Sequence, residues 1–324
     1  MDRRSFALGL LGASTLGLPA LAQPLAKPAR ILVGFPPGGS ADLVGRALAQ
    51  HLTGYASSVI VDNKPGAGGR IAIEALKAGE PDGSTLLVTP GSMMVVYPHI
   101  YRKLSYDPLR DVVPVATVAA AQFVIAVGPM VPAQVTTLAQ FIDWCRQNPS
   151  QATYGSSGAG SIPHFTGVAL GKAAKLDWMH VAYKGAAPAM NDLLGGQVAA
   201  NVGVLSNTLP HVQSGKLRAL AVSGPTRSTL LPQVPTLAEL GHADAQATEW
   251  FGVFLPAKAS ADTVQKLRQS IREALKAKGL VDALAKASFE PANPEGAADL
   301  GRILRSDLAR WGDVVKSSGF TPED

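Results

Sequence analysis

A single cysteine, Cys145, in 324 residues excludes an internal disulfide. The surrounding pattern FIDWCRQ sets it on the inner face of a helix as a small apolar residue, and with no histidine nearby in sequence it does not read as a catalytic thiol. Charge is also sparse, at 16% of residues, and the net +5 is scattered, with part of it in the first thirty positions. No basic block or interleaved aromatic run accompanies it, so no nucleic-acid partner is expected; attraction of small anions is the simpler use of the balance. The six histidines are dispersed (His51, His99, His164, His180, His211, His242), and His164 has no second His, Cys or carboxylate at helical spacing, so neither a metal centre nor a catalytic triad is expected. Beyond the N-terminus no apolar run approaches the roughly 20 residues of a membrane span.

What is present is a large apolar fraction, 47%, enough for an extensive core and incompatible with disorder. At this length two lobes are the default expectation. The opening MDRRSFALGLLGASTLGLPALAQP has paired arginines (Arg3, Arg4), an apolar run from Phe6 to Leu18 and a small-residue site ending at Ala22. Residues 1–22 read as an export signal cut near Ala22, of twin-arginine type because Phe6 follows the pair, and the mature chain is expected in the periplasm.

After the signal, β-rich runs alternate with helix-period segments: RILVGF with ADLVGRALAQHL, SSVIVDN with GRIAIEALKAG, then STLLVTP, QFVIAVGP, ATYGSS, WMHVAY, VAANVGV and LRALAVSG with helices between them. This is the pattern of βαβ units and a mostly parallel sheet. Beyond EWFGVFLPA the chain becomes helical, with apolar residues three and four apart. The expected outward crossing lies near Val124–Val127 and the return near Phe251–Leu255. That divides the mature chain into a discontinuous first domain (23–125 plus 252–324) and a second (126–251).

In an open parallel sheet, ligands sit beyond the carboxyl ends of the strands. The stretch GFPPGGSAD at 34–42 holds that position in the first unit. Gly38 and Gly39 permit close backbone approach, Pro36 and Pro37 stiffen the loop, and the amides of Gly38 through Asp42 remain as donors at a helix start. An anion is expected there. Asp42 and Ser40 each have two readings, as helix caps or as ligand contacts. A second loop, YGSSGAGS at 154–161, comes from the other half and is expected to face the first across a cleft. Neither phosphate-loop pattern is satisfied in it. Its serines, Ser156 and Ser157, leave open a hydrolase alternative, though no lysine closely precedes them at the position amidase chemistry requires. His164 is read as orienting this loop through a hydrogen bond, with a general base as the other possibility.

Eight collinear phrases resemble the Bug-type solute receptors of tripartite tricarboxylate transport systems: FPPGGSAD, VDNKPGAGGRIA, PDGSTLLV, YDPLRDVVPVA, TYGSSGAGSIPH, HVAYKGAAPAMNDLLGGQV, GKLRALAV and VPTLAELG. The resemblance implies a type II periplasmic-binding-protein fold, in which two α/β lobes joined by a hinge close on a small carboxylate. It implies a monomer without enzymatic activity, cofactor or metal, delivering its ligand to membrane permease subunits; a role as ligand-sensing partner of a signalling receptor is the other use of such a surface. The site it implies comprises Phe35, Gly38, Gly39, Ser40, Ala41 and Asp42 from the first loop, with Thr89 and Ser92 as polar wall. Ser156, Ser157, Gly160, Ser161 and His164 come from the second loop, and Tyr183, Lys184 and Gly185 lie on a further loop, with Asp192 behind it as a brace. Three positions depart from the family pattern: Gly34 and Ala182 replace prolines, and Ala41 replaces a hydroxyl residue. VDNKPGAGG reads as a turn shaping the first domain, and Trp250 and Phe251 read as either hinge-side wall or core.

Overall fold

The computed structural model describes residues 24–183 and 185–322; the export signal expected at 1–22 and Lys184 lie outside the described residues. Three βα units open the chain: β1 (Ala29–Val33) with α1 (Ser40–His51), β2 (Val59–Asn63) with α2 (Arg70–Lys77), and β3 (Thr85–Pro90) with the short α3 (Ser92–Val95) and α4 (Tyr97–Ile100). A long strand, β4 (Val112–Val127), leads into α5 (Leu138–Gln147), β5 (Thr153–Ser156), α6 (Ile162–Ala173), β6 (Met179–Ala182), α7 (Ala186–Leu194), β7 (Ala200–Val204), α8 (Leu205–Gln213) and β8 (Arg218–Val222). The chain returns along β9 (Thr248–Pro256) and ends in α9 (Ala261–Lys276), α10 (Lys278–Lys286), the two-residue β10 (Glu290–Pro291) and α11 (Leu300–Ser318).

The strands run β2-β1-β3-β9-β4-β7-β5-β6. Each end is parallel, β2-β1-β3 on one side and β7-β5-β6 on the other. The middle is antiparallel: β9 pairs with β3 and with β4, and β4 pairs with β7 and β8. The partner of β4 changes within the strand, since Val112 to Gln122 face β9 whereas Phe123 to Val127 face β7 and β8. One continuous strand therefore passes from the first lobe into the second, and β9 brings the chain back beside it.

The sequence pattern places this strand at QFVIAVGP; Pro114 stands in the stretch before it, and proline is unusual inside a central strand. The structure extends it back to Val112 and accommodates the proline at an irregularity: the register shifts between Pro114 and Ala116, and again between Thr117 and Ala119. The residues left outside the ladder are Val115 and Val118, so Pro114 keeps its place opposite Phe254 directly beside the first irregularity.

Strand β3 is buried along its whole length, as expected where helices cover both faces of a parallel sheet. On one side α1, α9 and α10 contribute Val44, Leu48, Leu267, Ile271 and Leu284 to a core with β1, β3 and β9. The helical tail thus returns to the first lobe. Helix α11 packs on α3 and α4 and also reaches α6 of the second lobe, where the rings of Trp311 and Phe165 lie 6.4 Å apart. Cys145 is fully buried in α5, and burial pushes its thiol up to about 12, so it is inert packing. Arg218 joins elements: its guanidinium donates to the carbonyls of Val131 and Val135.

Candidate functional site

Two βα loops and the two central strands enclose a cavity of about 590 Å³. The first wall is the start of α1. Phe35, Pro36, Pro37, Gly39, Ser40 and Ala41 line it. Gly34 holds the loop against the turn at 66–69, where a Cβ on it would stand 2.6 Å from the Gly69 carbonyl oxygen. The VDNKPGAGG segment therefore shapes the first loop from behind.

Asp42 is 1% exposed and does not line the cavity. Its carboxylate accepts hydrogen bonds from the Gly38 amide (2.9 Å), Arg46 Nε (2.8 Å) and Asn63 Nδ2 (2.8 Å). Burial alone would raise its pKa; these three donors outweigh it and hold the carboxyl below its ordinary value. Asn63 also donates to the Phe35 carbonyl, so Asp42 and Asn63 together tie the loop to the end of β2. Neither capping reading survives: helix α1 is capped by Gly39 without a side-chain bond, and Ser40 is its first residue.

The set of free amides is smaller than the sequence suggested. Gly38 donates to Asp42 and Gly39 to the Pro36 carbonyl (3.3 Å), which removes both. Among the described residues, Ser40 and Ala41 in the first turn keep cavity-lining amides without an internal partner, as do Ser157 and Ala159 opposite.

The second wall is the loop 157–163 at the start of α6. Ser161 caps that helix by accepting from the His164 amide. His164 is buried, and its Nδ1 accepts from the Gly160 amide (3.1 Å), the loop-orienting bond expected of it. Gly160 has φ +73°, and a Cβ there would come 2.8 Å from Ile100 of the first lobe, so side chains are excluded by both conformation and space. His164 stacks on His180 with ring centroids 3.9 Å apart. Burial lowers each ring to about 4, with mutual repulsion adding to the shift at His180, so both are neutral at ordinary pH.

Ser156 and His180 stand 2.7 Å apart, the spacing of a nucleophile and its base. The hydroxyl, however, is fully buried, bonded also to the Gly158 carbonyl, and outside the cavity lining. A substrate carbonyl has no approach to it. Behind this loop, Tyr183 and Gly185 donate their amides to the carbonyls of Ser156 and Ser157, and the Tyr183 hydroxyl donates to Asp192 (2.7 Å). Thr89 is buried as well, with its hydroxyl on the Met93 sulfur. Of the residues anticipated from sequence, then, Phe35, Gly39, Ser40, Ala41, Ser92, Ser157, Gly160 and Ser161 line the cavity, while Gly38, Asp42, Thr89, Ser156, His164, Tyr183 and Gly185 do not.

The floor and side wall were not anticipated, apart from Phe251. Period-two alternation on the hinge strands points Ala121 and Phe123 of β4, and Glu249 and Phe251 of β9, to the cavity. Trp250 faces the other way; it is buried against Gly91, and its indole N–H donates to Asp307 (2.8 Å). Tyr97, Ile100 and Tyr101 close one side. Among the described residues lining the cavity, Glu249 alone is charged. It is half-buried and accepts from the Ser92 amide (2.9 Å). Burial pushes its carboxyl up to about 7, against the bonds from Ser92 and Gly91 and with Asp307 adding to the rise. Among the described residues no His, Cys, Asp and Glu cluster has the geometry to hold a metal ion, and no helix is long and apolar enough to cross a membrane.

A two-lobed α/β protein with helix starts and free amides facing each other across a central cleft is a solute-binding protein by architecture. The chain belongs to the tripartite tricarboxylate transporter receptor family, TctC, whose model matches residues 44–320. It is 34% identical to Protein BugT of Bordetella pertussis over 306 residues, covering 91% of this chain and 90% of that one. Among solved structures it is similar to R. palustris Rpa4515 with adipate, at 29% identity and TM-score 0.78, covering 92% of this chain and 99% of the other. It is also similar to MatC (Rpa3494) from Rhodopseudomonas palustris with bound malate, at 26% identity and TM-score 0.74, covering 89% and 99%.

Proposed function

We propose that this protein is a periplasmic, non-enzymatic receptor that closes on a small organic carboxylate and delivers it to the permease subunits of a tripartite tricarboxylate transporter. The observation that carries this reading is the first turn of α1 opposed by the loop leading into α6, with the amides of Ser40 and Ala41 on one side and of Ser157 and Ala159 on the other lacking internal partners in residues that line one cavity. Backbone donors at a helix N-terminus favour an anion and need no side-chain cation. The ligand's carboxylate sits between Ser40–Ala41 and Ser157–Ala159, with Gly39, Ser92, Gly160 and Ser161 completing the surround. Gly38, Asp42, His164, Tyr183 and Gly185 position the two loops.

The lobes are residues 23–125 with 252–324, and 126–251, moving about β4 and β9. The chain acts as a monomer, exported by the signal at 1–22. Adipate and malate in two similar structures support a carboxylate as the ligand class.

Ligand-dependent stabilisation tests the reading. A carboxylate present at 100 times its dissociation constant is expected to add about 2.7 kcal/mol to unfolding. A broad panel of aliphatic, aromatic and amino-substituted acids that leaves the melting temperature unmoved would refute it.

A further inference from the structure

We propose that the ligand is a zwitterion, its carboxylate on the two amide loops and its ammonium group against Glu249 on the cavity floor. This rests on the carboxylate-receptor reading and specifies the other end of the molecule.

Three observations converge on a positive group. Glu249 lines the cavity from β9, held in place by the Ser92 amide at 2.9 Å. Among the described residues lining the cavity, no side chain offers it a cation. The lining around it is aromatic as well: Tyr97, Phe123 and Phe251 share the cavity, and aromatic rings are compatible with a bound cation. Burial raises the Glu249 carboxyl, as expected of an acid awaiting a partner. The charges behind the wall do not supply one. Asp307 lies beyond Trp250 and is itself acidic, and the Arg70 guanidinium is stacked on the Tyr101 ring at 4.2 Å.

A dicarboxylate meets the opposite situation. With one carboxylate on the amide loops, a second directed at the floor faces a like charge, or requires Glu249 to take up a proton. An ammonium group there gains a charge-assisted hydrogen bond instead. The same floor thus rejects one class by the feature that selects the other.

The test uses the purified mature chain and calorimetric titration at pH 8 with pairs of equal length: 4-aminobutyrate and succinate, 5-aminopentanoate and glutarate, 6-aminohexanoate and adipate, together with the α-amino acids. The amino member of at least one pair, or an α-amino acid against its deaminated analogue, is expected to bind at least tenfold tighter, and Glu249→Gln to erase that preference. Dicarboxylates or simple acids binding as tightly as their amino counterparts, or a preference that persists in Glu249→Gln, overturns the assignment while leaving the receptor reading intact. If no acid of any kind binds, the receptor reading itself falls, and this one with it. The wild-type comparison stands on its own should Glu249→Gln fold poorly.

Discussion

Ser40→Asp is expected to weaken carboxylate binding by about a hundredfold to a thousandfold while leaving the unliganded protein at least as stable as before. Ser40 is the exposed first residue of α1, with no internal partner on its amide. An acid in the first turn interacts favourably with the helix dipole, by about 0.3–1 kcal/mol, so the fold does not suffer. The same charge then occupies the position proposed for the ligand's carboxylate. Two like charges about 4 Å apart at an effective dielectric near 20 repel by roughly 4 kcal/mol, and partial solvation of an open cleft trims this. Every 1.4 kcal/mol is a factor of about ten in affinity. Ser40→Asn, of nearly the same size without the charge, is expected to stay within about fivefold of the native chain. Calorimetric titration with any acid that binds the native protein, paired with melting of the ligand-free variants, measures both. Unchanged affinity in Ser40→Asp would remove the first loop from the site.

The second large effect is on acid stability. His164 is buried and His180, half-buried, stacks on it, and both are held neutral in the folded protein down to about pH 4. In the unfolded chain each takes up a proton near pH 6.5. Folded-state values depressed below the unfolded ones give a contribution that is full above pH 6.5 and lost as pH falls towards 4. A depression from 6.5 to about 4 corresponds to roughly 3 kcal/mol for a single well-buried ring, and the pair acts as one coupled system.

Glu249 works in the opposite sense over part of this range. Its carboxyl, raised from 4.5 to about 7, contributes stability below pH 4.5 that is lost as pH rises to 7. The carboxyls of Asp307 and Glu290 are raised by burial as well and act with Glu249, so the contribution of the histidine pair is the difference in acid loss between the native protein and a histidine variant. His180→Gln, which keeps a polar partner for Ser156, is expected to flatten the slope. Melting curves from pH 7 to pH 4 for the two proteins decide it; parallel slopes would show that the histidine pair does not carry the acid sensitivity.

How much of this was legible in the sequence follows from how each feature is encoded. The two loops were legible because each is a contiguous strand-to-helix turn, where prolines, glycines and serines mark the position locally. The role of His164 was legible for the same reason, since its partner Gly160 is four residues away. Asp42 was ambiguous because its third donor, Asn63, lies 21 residues on, across a parallel pairing that the sequence does not spell out. The cavity floor was the least legible. Glu249 meets Ser92 across 157 residues, brought there by a strand that returns antiparallel between two parallel halves. Tyr97 and Tyr101 sit on or just beyond a four-residue helix, too short for any periodicity to announce its face. Local turn chemistry therefore marks the wall proposed to bind the anion, whereas the cavity floor is assembled by topology.

The most direct test of the account is to follow the backbone amide resonances of Ser40, Ala41, Ser157 and Ala159 during titration with a binding acid. The account predicts that all four shift together and saturate at the same ligand concentration, because one carboxylate bridges both loops. Shifts confined to a single loop, or to residues remote from both, would contradict it.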